Sequence, residues 1–161
     1  ACNVNDVVPH YLKTQKLEPR TTVATLSNAM DVGNPSNFVR IMELFHDQFR
    51  DLSRMLSGDT ITDEETLNTI TEVQEKFGYT LDPHGAVAYK ALQKYIKKYP
   101  GKQGFILETA HPVKFPDAVE KAIGKSIEVP ESLVDLMKKE KKTVEIKPNF
   151  EALKDFLLKT K

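Results

Sequence analysis

The sequence predicts an α/β protein, a mostly parallel sheet with flanking helices. Three observations predict it. Short apolar runs with β character stand at residues 22–26 (Thr-Val-Ala-Thr-Leu) and 105–107 (Phe-Ile-Leu). Longer segments with helical spacing of apolar residues alternate with them. A polar cluster follows each run: Ser27-Asn28-Ala-Met-Asp31-Val-Gly33-Asn34 after the first and Glu108-Thr109-Ala-His111-Pro112 after the second. Alternating short strands and helices imply βα units, and such units build parallel sheets. Ligands of these sheets sit at the carboxyl ends of the strands, which directs attention to those polar clusters.

Each element has a sequence reason. The spacing of Phe38, Ile41, Met42, Phe45, Phe49, Leu52 and Leu56 predicts one helix over 35–56, with Asn34 as N-cap, Pro35 at its first position and Gly58 just beyond its end. Thr62 and Glu65 form a capping-box pattern, so a second helix starts there, carries Leu67, Ile70, Val73 and Phe77 on one face, and stops at Gly78. A third is predicted over 85–98, closed by Pro100-Gly101. It is entered through a polar elbow, Leu81-Asp82-Pro83-His84-Gly85. A fourth follows Pro116 through Ile123. The last follows Pro148, with Phe150, Leu153, Phe156 and Leu157 on one face. The expected organisation is one α/β body with a helical excursion over about 36–77 and a helical extension over about 130–161.

Composition narrows the function. Lys plus Arg and Asp plus Glu are both 23, a formal net charge of zero, which argues against a general nucleic-acid binder. The apolar runs are far shorter than the ~20 residues of a membrane span. The single cysteine, Cys2, excludes an internal disulfide framework and, with no secretory signal in view, points to the cytoplasm. The four histidines show no metal-ligand spacing, and no nucleotide or nucleophile-elbow glycine pattern is present. Asn28, Asp31, Asn34, Ser36 and Asn37 surround an expected helix N-terminus, a place receptive to an anion, yet the same residue types also serve plain capping and turns. Lys138-Lys139-Glu140-Lys141-Lys142 reads as a solvated basic run rather than a polyanion site.

The three loops also carry a resemblance. Residues 25–37, Thr-Leu-Ser-Asn-Ala-Met-Asp-Val-Gly-Asn-Pro-Ser-Asn, resemble the Ser-Asn-Ala-Met-Asp…Pro-Ser-Asn signature of the threonine synthase family. Residues 82–89, Asp-Pro-His-Gly-Ala-Val-Ala-Tyr, and 109–115, Thr-Ala-His-Pro-Val-Lys-Phe, are similar to two further segments of it in the right order, and the opening residues 3–9 fit too. The resemblance implies a fold-type II pyridoxal 5'-phosphate (PLP) lyase of threonine biosynthesis. That family converts O-phospho-L-homoserine and water to L-threonine and phosphate through a PLP Schiff base. It further implies that this chain is the C-terminal part and packs against a missing N-terminal part. The family's Schiff-base lysine and cofactor-phosphate loop lie before residue 1, so the chain alone is expected to be inactive. By analogy with the β subunit of tryptophan synthase, Thr109 bonds the pyridine nitrogen, and Asp82 and His84 lie beside the cofactor ring. Asn28, Asp31, Asn34, Ser36 and Asn37 then become a polar wall near the substrate. The alternative expectation is a stand-alone binding or interaction module that uses the same half-fold without chemistry.

Overall fold

A computed structural model describes residues 1–159. It is helical where a sheet was expected: 53% of the described residues are helix and 1% strand. Among the described residues the β structure is one isolated parallel bridge between Cys2 and Thr60, closed by Cys2 N–H to Asp59 O at 3.0 Å and Ile61 N–H to Cys2 O at 2.9 Å. The expected mostly parallel sheet is therefore absent. β-rich apolar runs report an extended backbone, but a strand also needs a neighbouring backbone to exchange hydrogen bonds with. Neither 22–26 nor 105–107 has one among the described residues.

Side chains take the neighbour's place along 22–26. The Asn5 amide donates from Nδ2 to Val23 O at 2.9 Å and accepts Val23 N–H on Oδ1 at 2.8 Å. Thr25 N–H goes to Asp31 Oδ2 at 2.9 Å, and Leu26 N–H to Asp63 Oδ1 at 3.2 Å. Along 105–107, Phe105 and Leu107 are exposed while Ile106 turns inward onto the core.

The chain divides into two compact units, Ala1–Glu128 and Val129–Lys161. The first holds α1 (Val7–Thr14), α2 (Phe38–Leu44), α3 (Phe49–Met55), α4 (Asp63–Phe77), α5 (Pro83–Lys98) and α6 (Pro116–Ile123). The second holds α7 (Glu131–Met137) and α8 (Phe150–Lys159). No helix among the described residues is long and apolar enough to cross a membrane.

The single helix expected over 35–56 is two helices. His46 and Asp47 adopt left-handed conformations, φ 50° and 56°, and separate α2 from α3. Asp47 N–H reaches back to Met42 O at 3.0 Å, which closes the turn. Asn34 does not cap: α2 starts at Phe38, and its N-cap Asn37 makes no side-chain bond. The apolar residues of both helices nevertheless share one cluster, in which Phe38 and Leu52 are buried with Tyr11. Tyr11 meets Phe38 and Phe49 edge to face, with centroids 5.4 and 5.6 Å apart. Such pairs add about 0.5–1.5 kcal/mol each beyond the area they bury.

Helices α4 and α6 start and stop as their end signals dictate, α5 starts at Pro83 rather than at 85, and α1 was not expected. Thr62 Oγ1 accepts Glu65 N–H, and Glu65 Oε2 accepts Thr62 N–H, so both halves of the capping box form. Gly78 ends α4 at φ 66°, where a side chain would be strained. Helix α4 packs against α5 and α6 over Ile70, Val73, Leu81, Ala86 and Val119. Full burial of each of the larger side chains stabilises by about 1.5–3 kcal/mol. This core fixes the N-terminus of α5 and, through Phe115 and Ile106, the loop between 105 and 116.

Candidate functional site

The polar elbow of residues 81–85 is entirely buried. Asp82 is the N-cap of α5, accepting His84 N–H on Oδ1 at 2.9 Å and Gly85 N–H on Oδ2 at 3.4 Å, with Pro83 at the first helical position. The same Oδ1 lies 2.6 Å from His84 Nδ1. On the far side of the ring, Nε2 accepts the Ala29 N–H at 3.0 Å. A backbone N–H can only donate, so Nε2 is the unprotonated nitrogen, and Nδ1 carries the proton it gives to Asp82. The ring also lies against Phe115, centroids 4.8 Å apart at 55°.

These contacts gather three separate stretches of chain. Residues Asn28–Met30 form a short 3₁₀ turn that hangs on His84, and Phe115 belongs to the loop that carries Thr109 and His111. Glu108 in that loop turns its carboxyl onto Gly85, where a methyl group would overlap it. It hydrogen-bonds Asp82 there. Burial and then the bond to Asp82 push the Glu108 carboxyl up to about 8. Burial works to raise Asp82 as well. The bonds from Glu108 and from the His84 backbone and ring outweigh it and hold Asp82 below its ordinary value. One carboxyl of the pair therefore keeps a proton while the other stays charged.

Asp31 sits differently. Its Oδ1 accepts from Asn3 Nδ2 at 2.8 Å, Thr25 Oγ1 at 2.7 Å and Asn5 Nδ2 at 3.1 Å, while Oδ2 takes Thr25 N–H. Its carboxylate is thus spent on holding the loop against the N-terminal segment. Asn28 is exposed, and its carbonyl accepts Asp31 N–H at 3.1 Å. Asn34, Ser36 and Asn37 are exposed further along the same loop. Ser36 and Asn37 are not drawn to Asp82 and His84; Asn37 instead borders a separate groove with Pro35 and Phe38.

Thr109 opens onto a cleft of about 870 Å³, which it lines with Glu108, His111, Lys114, Thr80 and Lys125. His111 caps the next short turn, its Nδ1 accepting Val113 N–H at 3.2 Å. The Thr109 hydroxyl bonds to nothing else among the described residues. Sequence reasoning placed Thr109, Asp82 and His84 in the site but left out Glu108, Asn3 and Asn5. The signal for Glu108 was its place beside Thr109, immediately after an apolar run. Asn3 and Asn5 gave an i, i+2 pattern of identical amides, whose long-range partners no local rule reveals.

Known proteins match this chain. The family described as "Threonine synthase, C-terminal" matches residues 85–157. Threonine synthase of Haemophilus influenzae is 42% identical over 158 residues, which is 98% of this chain and 36% of that protein. The crystal structure of threonine synthase from Escherichia coli superposes with a TM-score of 0.85 at 38% identity, covering 99% of this chain and 36% of that one. The PLP-bound threonine synthase from Brucella melitensis superposes with a TM-score of 0.74 at 28% identity, covering 98% of this chain and 39% of that one. The chain thus spans a little over a third of the length of the relatives it matches.

Proposed function

We propose, for a chain that matches the C-terminal region of the threonine synthases in sequence and in fold, that it serves in such an enzyme. The enzyme is a PLP-dependent lyase that converts O-phospho-L-homoserine and water to L-threonine and phosphate. This chain builds one wall of its site. The observation that carries the reading is the hydrogen-bond line from Ala29 N–H through His84 to Asp82, which with the His84–Phe115 ring contact brings the three family-like loops to one place.

The residues present suit the cofactor. A free hydroxyl on Thr109, open to the cleft, is available to a pyridine nitrogen, and Glu108, the residue before it, meets Asp82. When bound, the cofactor supplies the electron sink for the chemistry at the amino acid. Thr109 orients its ring without the full charge a carboxylate would bring. Asp82 and His84 hold the neighbouring turn, and Asn28 is the side chain of that turn free to meet the substrate. Since the family's Schiff-base lysine has no counterpart in these 161 residues, the polypeptide by itself is expected to be without this activity.

Thr109→Val in the full-length enzyme tests the assignment. Val keeps the size and loses the hydroxyl, leaving an unpaired ring nitrogen at a cost of about 1–3 kcal/mol. Expressed in the transition state, this lowers kcat by about ten- to over a hundredfold with the fold intact. Turnover at the wild-type rate with PLP bound removes Thr109 from the role.

A further inference from the structure

Glu108 has no part in that reading, yet it occupies a built position. Gly85 leaves open the one space on the first turn of α5 into which the Glu108 carboxyl fits, and the partner waiting there is the buried Asp82. Asp82 holds His84 by both backbone and ring, and His84 holds Ala29. We propose that Glu108 is a positioning residue of the site: as a neutral acid it donates to Asp82, and through the Asp82–His84–Ala29 line it fixes the Asn28–Met30 turn. The functional half of this rests on the reading of that turn as the substrate side.

The direction of the bonds supports it. Asp82 accepts from two N–H groups and from the His84 ring, so it is the charged member, and a second carboxyl can bond to that carboxylate only as a donor, although it also accepts the Asp82 N–H, which works the other way. The retained proton agrees, since Glu108 is pushed up to about 8 first by burial and then by Asp82. The other charged or titratable groups on the same cleft walls are Tyr79, Tyr89, His111, Lys114, Lys125 and Glu128. None of them is among the causes of the shift. When Glu108 ionises, its proton leaves through the open cleft to solvent. Two adjacent carboxylates then repel, and the line that ends at Ala29 slackens.

The test uses the full-length PLP-loaded enzyme with carboxyl-¹³C glutamate and ¹⁵N backbone labels. The Glu108 carboxyl should titrate near pH 8, and the Ala29 amide resonance should move with the same midpoint. In Glu108→Gln, whose amide donates to Asp82 at every pH, the Ala29 resonance should stay fixed between pH 6.5 and 9.5, roughly 1.5 units either side of that value. The KM for phosphohomoserine should rise severalfold across this range in the wild type and stay flat in Glu108→Gln. Titration of Glu108 in the ordinary carboxylate range, or an Ala29 amide indifferent to it, overturns the proposal. If Ala29 follows Glu108 while KM does not, the positioning line stands and the substrate-side reading of the turn fails.

Discussion

Ala29 and His84 are 55 residues apart in the chain and 3.0 Å apart in space, the N–H of one on the Nε2 of the other. His84 is 6% exposed and Ala29 lies at the surface, so the bond ties an exposed loop to a buried ring.

His84→Phe is the informative substitution. It keeps an aromatic ring against Phe115 and removes both hydrogen bonds, the one from Ala29 N–H and the one to Asp82. The buried Asp82 oxygen left without its ring partner costs about 1–3 kcal/mol, while the exposed Ala29 can turn its N–H to water. Urea denaturation should show a loss of about 1–3 kcal/mol, with the Ala29 amide the first in this loop to lose hydrogen-exchange protection.

Asp31→Asn should destabilise without removing volume. The carboxylate accepts four bonds, three from Asn3, Asn5 and Thr25 side chains and one from a backbone N–H. An amide cannot accept on its NH₂ side, so at least one donor faces another donor. A loss of about 1.5–3 kcal/mol is expected from the charged hydrogen bonds, measured as a lower Tm.

The pH dependence of stability has a definite sign. Glu108 moves from an ordinary value of 4.5 to about 8, so the folded state keeps a proton that the unfolded state has lost over that interval. Its stabilising contribution is complete below 4.5 and disappears as pH rises through about 8. Asp82, held below its ordinary 3.8, acts at the opposite end and loses its contribution only in acid. Denaturation midpoints of Glu108→Gln should therefore decline less than wild type between pH 5 and 8, about the interval between the two Glu108 values. Parallel declines would refute the assignment.

Gly85→Ala should act on Glu108 rather than on the helix. The conformation at 85 is ordinary helix, and alanine favours it, but the new methyl occupies the space of the Glu108 carboxyl. The carboxyl swings out to water. Its titration should return toward the usual carboxylate range by NMR, with stability changed by no more than about 1 kcal/mol.

Asn28→Ala separates two roles for the first loop. The Asn28 side chain is exposed, and only its carbonyl is engaged within the loop. A raised KM for phosphohomoserine at unchanged Tm is the expected result in the full-length enzyme. A lowered Tm with normal kinetics would assign Asn28 to turn formation instead.

Much of this was legible in the sequence where the determinants are local. Thr62 and Glu65 announce their helix because a capping box is closed by residues three apart. Pro116 marks the start of α6 as locally, while α5 begins at Pro83, two residues before the expected start. The break at His46 and Asp47 was not legible, since the apolar stripe runs through it from Phe45 to Phe49 at helical spacing. The stripe reports which residues enter the Tyr11 cluster and is silent on whether the backbone between them stays coiled. The sheet failed for a different reason. Val23, Leu26, Phe105 and Leu107 have strand character, but pairing is a property of two segments. The loops of the site were legible as motifs. Asn5 reaching Val23 and Glu108 reaching Asp82 are long-range choices that composition does not encode.

The bond between Asn5 and Val23 also sets which flank of that stretch is open to other polypeptides. In an extended backbone the N–H and C=O of one residue point to the same side, and those of the next residue to the other. Asn5 occupies the Val23 side with one donor and one acceptor, as a foreign strand would. Edge-to-edge addition is thereby blocked at Val23, and Asp31 and Asp63 take the N–H groups of Thr25 and Leu26 in the same manner. Asn5→Ala uncovers one donor and one acceptor, those of Val23, to a foreign strand, so the residue guards solubility as much as it guards shape.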